Sequence, residues 1–302
     1  MKTYFDTATL YYRAFHAVPE SIVAPDGTPS GAVRGFLDMV STLLTQFPAE
    51  EVVFAWDDDW RPAWRVALIP SYKTHRVEEV GADDEAESVP HLLSPQISAI
   101  AEILDCIGLV RLGQVGHEAD DILGALIAQR GGPAHVVTGD RDLYQLVSDV
   151  RHTDVVSITK GVKNLEVITD DVLRGKYSVT GEQYAGYSAL RGDASDGLPG
   201  VKGVGEKTAA TLITQWGSLS GVLAAATNPE SGLKESLRLN LAAHEEYLAA
   251  ALKVVTVRTD AHLPKVLRVP KHIADPERLT FLTNDWGIEK HVARLLKTIG
   301  IR

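Results

Sequence analysis

The chain has one cysteine, no excess of basic charge and no long apolar run. Cys106 stands alone among 302 residues, so an internal disulfide and a cysteine-rich zinc site are excluded. No apolar stretch reaches the roughly 18 residues that a membrane helix needs. Met1 to Phe5 lacks the basic start and apolar stretch of a secretory signal. These absences predict a soluble cytoplasmic protein with no membrane partner. Acids outnumber bases by 40 to 30, for a formal net charge of −10. That total argues against a nucleic-acid partner, which usually meets a basic face, unless the acids converge on bound cations. The rest is ordinary for a globular chain: 45% hydrophobic and 23% charged residues, with 25 Gly and 14 Pro. Disorder, collagen repeats and a simple coiled coil are thereby excluded. The length allows one large domain or two lobes with full cores.

The first half alternates short strands with helix-period segments. Tyr4-Phe5 ends in Asp6, Val52 to Trp56 ends in Asp57-Asp58-Asp59, and Val136-Val137-Thr138 ends in Gly139-Asp140. Such short runs suit buried parallel strands. Gly35 to Phe47, Leu93 to Ile107 and Ile122 to Ile127 carry helical periodicity. The alternation predicts an α/β fold around a parallel sheet, with ligands beyond the carboxyl ends of the strands. Residues 77 to 90 are acidic and weakly apolar and read as an exposed segment. Beyond about 176, helices are predicted over Lys207 to Trp216, Ser218 to Ala226, Leu233 to Leu252, 276 to 284 and Glu289 to Thr298, with a strand at Val254 to Val257.

Nine acids occupy motif-like positions: Asp6, Asp57 (or Asp58), Glu118, Asp120, Asp121, Asp140, Asp142, Asp193 and Asp196. Oxygen donors without His or Cys suit Mg²⁺ or Mn²⁺. Crowded carboxylates stay ionised only if cations neutralise them. Two divalent ions about 4 Å apart would do so, and would activate water for in-line attack on a phosphodiester. The nine acids account for nearly all of the net charge, so an acidic total no longer excludes a nucleic-acid substrate. Taken singly, these acids also have plain structural uses: a helix start for Glu118, Asp120 and Asp121, an N-cap for Asp142, turns for Asp193 and Asp196.

Leu198-Pro199-Gly200-Val201-Lys202-Gly203-Val204-Gly205-Glu206-Lys207-Thr208 is the most specific stretch. Its glycines permit a tight hairpin with exposed backbone. The helix that follows offers free N–H groups to a phosphate, and Lys202 and Lys207 add charge. This helix–hairpin–helix pattern grips a duplex backbone without reading its sequence. Lys73 and Arg76, at i and i+3, share one side if helical. They either clamp a scissile phosphate or form a solvated pair.

Together these motifs resemble the bacterial 5′ nucleases, the family of the 5′-exonuclease domain of DNA polymerase I and its stand-alone flap endonuclease relatives. The markers run over nearly the whole chain: Asp6 with Tyr12 to His16, Val53-Phe54 leading to Asp57, Trp64-Arg65, Tyr72 to Arg76, Glu118 to Asp121, Gly139 to Leu146, and Gly192 to Ala209. Val254 to Asp260 resembles the family's late strand. The resemblance implies a mixed, mostly parallel sheet flanked by helices, with a helical arch at about 70–95 and a helix–three-turn–helix element near 190–216. It implies a nuclease core over 1–175, a DNA-binding region over 176–260 and a C-terminal helical tail over 261–302. By the same resemblance Asp6, Asp57, Glu118, Asp120, Asp121 and Asp140 serve a first divalent ion. Asp140, Asp142, Asp193 and Asp196 serve a second. Lys73 and Arg76 position the scissile phosphate, and Arg13, His16, Lys202, Gly203, Gly205 and Lys207 meet DNA. The carbonyls of Val201 and Val204 would hold K⁺. The implied substrates are branched or nicked DNA with a 5′ end or flap, and RNA–DNA primer junctions. They would be cut by a monomer acting at the nucleoid, expected to be a stand-alone or separately encoded nuclease rather than a domain of a polymerase. Departures are Asp6-Thr7 in place of Asp-Gly, three consecutive acids at 57–59, and an arch segment rich in acids.

Two other readings of the residues are open. A haloacid-dehalogenase-like phosphatase also uses an early strand-end Asp, but needs a second acid where Ala8 stands. A non-catalytic branched-DNA-binding protein needs only the hairpin.

Overall fold

The computed structural model describes residues 1–79 and 85–301. In chain order the elements are β1 (Lys2–Asp6), α1 (Thr7–Ala17), α2 (Gly31–Gln46), β2 (Glu51–Ala55), α3 (Ala63–Leu68), β3 (Val77–Glu79), β4 (Glu85–Glu87), α4 (Ser94–Ile107), β5 (Val110–Leu112), α5 (Ala119–Arg130), β6 (Ala134–Thr138), β7 (Thr153–Ser157) and β8 (Glu166–Ile168). Helices then follow: α6 (Asp170–Tyr177), α7 (Gly181–Arg191), α8 (Glu206–Trp216), α9 (Leu219–Thr227), α10 (Glu235–Ala243), α11 (Glu245–Val255), α12 (Pro276–Trp286) and α13 (Glu289–Thr298).

The main sheet runs β5-β2-β1-β6-β7-β8. Every pair is parallel except β7–β8, which is antiparallel. The fold is therefore α/β with a mixed, mostly parallel sheet, as the strand–helix alternation predicted. The chain leaves β1 for β2 on one side and later returns to β6 on the other. The strand order thus reverses at β1, and such a switch point opens a crevice beyond the carboxyl ends of the strands. Asp6 pairs with Ala55 and Phe5 with Val137, so Asp6, Asp57 and Asp140 leave the sheet along one rim.

Alternation of side chains along the strands divides the core in two. Phe5, Phe54 and Val137 point toward α1, α2 and α4, where Phe5 and Phe54 stack at 4.9 Å. Leu279, Leu282, Val292 and Leu295 of α12 and α13 close that side. Tyr4, Val53 and Val136 point the other way, into a cluster that continues through Tyr144, Tyr184 and Leu190 to Ile213 and Leu248. The helices after β8 are thereby packed onto the sheet by a continuous apolar interior.

Three expectations are corrected. The span implied to be a helical arch carries a 3₁₀ turn, Thr74–Arg76, and the antiparallel pair β3–β4. Its remaining part, residues 80–84, lies outside the described residues. The strand expected at Val254 to Val257 is instead the end of α11 and the chain after it. Val254 and Val255 extend the buried stripe of Leu248 and Ala251, and that helical spacing outweighs β-branching. Leu233 to Leu252 is not one helix but α10 and α11, broken at His244. The strands β5, β7 and β8 have no counterpart in the sequence reading; two are only three residues long.

Candidate active site

The carboxylates gather along the carboxyl rim of the sheet. Asp6 caps α1, accepting from the Thr9 amide at 3.3 Å and from the Thr138 hydroxyl at 2.6 Å. Asp57 accepts from the Ala119 amide at 2.7 Å, which ties the end of β2 to the start of α5. Glu118, immediately before α5, is buried and accepts from the Tyr72 hydroxyl at 2.9 Å. Asp140 accepts from the Asp142 amide at 2.8 Å, and Asp142 accepts from the Ser188 hydroxyl of α7 at 3.0 Å.

The basic loop is sewn to the second acidic loop. The Lys73 amide donates to the Asp196 carbonyl at 3.0 Å, and the Ser71 hydroxyl donates to the Gly197 carbonyl at 2.8 Å. Arg76 Nη2 donates to the Ser195 carbonyl and to Asp196 Oδ1, both at 3.0 Å. Gly197 makes this approach possible: its φ is +72°, and a Cβ there would stand 2.1 Å from the Ser71 carbonyl oxygen. Lys73 itself has φ +49°, a left-handed backbone that is uncommon outside glycine. Its ammonium is buried and donates to Glu118 and, at 3.3 Å, to the Trp60 carbonyl.

These groups perturb one another. Desolvation is the largest influence at each carboxyl, and neighbouring charge adds to it. Glu118 is pushed up to about 7 by burial and by Asp57, although Lys73 and Arg65 pull it down. Asp142 rises to about 7 through burial and then the charges of Asp140, Asp196 and Asp193. Asp140, at the solvent-reachable mouth, rises to about 6 through the surrounding walls and through Asp196 and Asp6. Asp120 is raised well above the carboxylate range by burial, Asp140 and Asp6. Asp57 is raised by burial and by Asp6. The influences form one chain from Asp57 through Asp6, Asp120 and Asp140 to Asp142, Asp193 and Asp196. Such a chain calls for added positive charge. Among the described residues no three carboxylates, imidazoles or thiolates stand ready to ligate one ion directly. The oxygen-only donor set nonetheless fits Mg²⁺-like ions, which keep several waters and need few direct ligands.

Two predicted ligands are placed elsewhere. Asp121 does not face the cluster. Its oxygens take both Arg65 nitrogens at 2.8 Å, the Glu118 amide at 3.0 Å and the Arg258 amide at 2.8 Å. It therefore holds the start of α5, the helix-start role that its position also suggested. Asp58 is exposed and turns toward Arg111 at 3.9 Å, so of the consecutive acids Asp57 is the one drawn into the cluster. Asp193 accepts from the Ser195 amide at 2.8 Å and from Arg191 Nη2 at 3.2 Å.

Several groups escape a sequence reading. Arg65 is buried and meets Glu118 at 3.2 Å as well as Asp121. Tyr72, Thr138 and Ser188 orient carboxylates without being acids. Only the position of Arg65 and Tyr72 inside the family's markers signals them.

The duplex-facing candidates lie on two sides. Lys202, Gly203, Gly205 and Lys207 are exposed at the hairpin, while Val201 and Val204 are buried beneath it. Val204 donates its amide to the Val201 carbonyl at 2.9 Å, and the Tyr247 hydroxyl braces the Gly200 amide at 2.8 Å. Arg13 reaches the Thr159 carbonyl at 3.0 Å and lies against Gly139, beside Asp140. His16 is exposed at the end of α1.

Comparison with known proteins agrees with this geometry. Residues 3–178 match the family model of the 5′-3′ exonuclease N-terminal resolvase-like domain, and residues 179–274 match that of the 5′-3′ exonuclease C-terminal SAM fold. A 5′-3′ exonuclease of Streptomyces coelicolor is 48% identical over 97% of this chain and 98% of its own length. A 5′-3′ exonuclease of Mycobacterium tuberculosis is 43% identical over 97% and 96%. The thermostable DNA polymerase I of Thermus aquaticus is 36% identical over 89% of this chain, which spans 30% of that protein. Among solved structures, T5 5′-exonuclease with bound zinc superposes with a TM-score of 0.63 at 18% identity, covering 99% of this chain and 97% of that one. The catalytic core of Rad2 in complex with DNA substrate gives 0.62 at 17%, covering 98% and 92%. At such identities the likeness is one of fold.

Proposed function

The chain belongs to the 5′-3′ exonuclease family, a nuclease that hydrolyses phosphodiester bonds, and from that premise we propose that it cuts the 5′ strand of branched or nicked DNA, flaps and RNA–DNA primer junctions included, as a cytoplasmic monomer. The observation that carries this is the linked set of raised carboxyls with Lys73 and Arg76 held among them. Asp6, Asp57, Glu118, Asp120 and Asp140 would serve one divalent ion, directly or through water, and Asp140, Asp142, Asp193 and Asp196 a second. Mg²⁺ or Mn²⁺ suits these donors. Bound there, such ions supply an activated water and charge relief for the phosphate.

The chain's own residues do the rest. Lys73 and Arg76 are paired with Glu118 and Asp196 in the free protein. With cations held by these acids, Lys73 and Arg76 would be free to turn to the scissile phosphate and oppose the charge that grows on it. Thr138 and Ser188 keep Asp6 and Asp142 oriented. The exposed hairpin with Lys202 and Lys207 holds the duplex by its backbone, aided by Arg13 and His16 near the reacting end. The Val201 and Val204 carbonyls would take K⁺ there.

A 5′-flap duplex labelled at each end in turn, incubated in Mg²⁺, Mn²⁺ or EDTA beside Asp142→Asn, tests the proposal. Cuts at the junction or stepwise from the 5′ end, lost in EDTA and in the variant, are expected. Intact DNA retained in a gel shift would instead mean a binder without catalysis. Neither binding nor cutting would return the phosphatase reading.

A further inference from the structure

Two cations between the end of α7 and the start of α8 are left unused by the mechanism above. Arg191 ends α7, and Arg141 stands between Asp140 and Asp142. The Nη1 atoms of both lie 3.8 Å from the same Glu206 oxygen. That is too long for a hydrogen bond, so two guanidinium edges face an anion that satisfies neither. Arg191 is held in place. Its Nε donates to the Gly192 carbonyl at 3.0 Å, its Nη2 to Asp193 at 3.2 Å, and its guanidinium lies 5.4 Å from the Tyr187 ring centre. The Arg191 side chain is only 9% exposed. Among the described residues its buried Nη1 has no well-aligned hydrogen-bond partner, and neither has the buried hydroxyl of Tyr187, the residue it lies against. Buried donors left unpaired are costly, and in native proteins they point to a missing partner. Beside them runs a groove lined by Tyr187, Glu206 and Lys207 with Lys176 and Tyr177, which meets the two arginines through Tyr187 and Glu206. Glu206 is 59% exposed and meets the two arginines only at this long ion-pair distance.

We propose that Arg141 and Arg191 form a site for a backbone phosphate of the strand beside the cut, and that Glu206 occupies this site in the free protein and swings out when DNA enters. A phosphate offers oxygens to two guanidinium groups at once, at hydrogen-bonding distance, which the single distant carboxylate oxygen does not. The start of α8 and Lys207 add favourable charge at the same place. Arg141 lies between Asp140 and Asp142 in the chain, and on this proposal the phosphate it holds is a neighbour of the reacting one, so that the site sets the register of cutting as well as affinity. The inference rests on the DNA reading given above.

The test is equilibrium binding of a fluorescent 5′-flap duplex in EDTA, read by anisotropy across a salt series. Glu206→Gln should tighten binding by up to about fivefold, the scale of an exposed ion pair. Arg141→Gln and Arg191→Gln should each weaken binding by about tenfold, the scale of a charged hydrogen bond. Each should also lower the salt slope by about one. In the Arg141→Gln/Arg191→Gln background the Glu206→Gln gain should vanish. An equal gain in that background, or an equal gain from Glu182→Gln elsewhere on α7, would reduce Glu206 to a general charge and overturn the proposal. Unchanged affinity and slope in both arginine variants would overturn it too. If inorganic phosphate raises the melting temperature of wild type but not of Arg141→Gln, while DNA affinity ignores the substitutions, the site takes a free anion and the DNA assignment falls. Should Arg191→Gln fail to fold, Arg141→Gln and Glu206→Gln, at exposed positions, carry the test alone. A wild-type protein that does not bind the duplex would sink the DNA reading itself, a failure distinct from all of these.

Discussion

At the scale of single residues, adjacent acids have opposite fates. Asp120 is surrounded by the charges of Asp140 and Asp6, whereas Asp121 is locked to Arg65. Asp120→Asn should therefore abolish cleavage while leaving the melting temperature unchanged or raised. Asp121→Asn should lower stability by about 3–5 kcal/mol, because it strands a buried guanidinium. Denaturant titration of both variants beside a cleavage assay distinguishes them, and equal melting would refute the division. Asp142→Asn and Asp196→Asn should stop cleavage but leave DNA binding intact. Normal turnover by either would remove that residue from the chemistry. Lys73→Ala should slow single-turnover cleavage by about 10²-fold or more, the loss expected for one transition-state donor. The residue types were legible here in advance, since strand-end acids and the Lys73–Arg76 pair stand out in the sequence. Which of two neighbouring acids faces the cleft was not, because that depends on where Arg65, 56 positions away, finds its partner.

At the scale of elements, the active cleft depends on loops that meet far from one another in sequence. The Ser71–Arg76 segment carries the two bases, and it is registered against Ser195–Gly197 by the contacts of Lys73, Ser71 and Arg76. Gly197→Ala should force these loops apart, since its Cβ has no room against the Ser71 carbonyl. Cleavage should fall while duplex binding through the hairpin holds. A variant with wild-type kcat would show that the registration is dispensable. Lys202→Ala should do the reverse, weakening duplex binding and flattening its salt dependence with single-turnover cleavage at saturation unchanged. The hairpin and α8 could be read in sequence because glycine spacing and helix start act locally. The end of α11 could not, since β-branched Val254 and Val255 favour a strand until packing with Leu248 and Ala251 is known.

At the scale of the whole molecule, gathered acids make stability depend on pH. Carboxyls that stay protonated to about 6–7 when folded, against about 4 when unfolded, let the folded state bind more protons between those values. Stability without divalent cations should therefore fall as pH rises from about 4 to 7, and then level off. Mg²⁺ or Mn²⁺ should raise the melting temperature more at pH 7.5 than at pH 5, since bound cations displace those protons. Melting curves in EDTA that rise across this window would contradict the picture. The sequence by itself determined the α/β class, the strands that end in acids, the hairpin and the family. Each of these is written in local periodicity, turn chemistry or motif spacing. Only the tertiary structure decided that Asp57 and not Asp58 enters the cleft, that Asp121 serves Arg65, that two antiparallel strands pair within the acidic segment, and that Arg141 and Arg191 converge on Glu206. Those outcomes turn on which charges become neighbours once the sheet switches direction at β1, and charge pairing across such distances leaves no periodic trace in the chain.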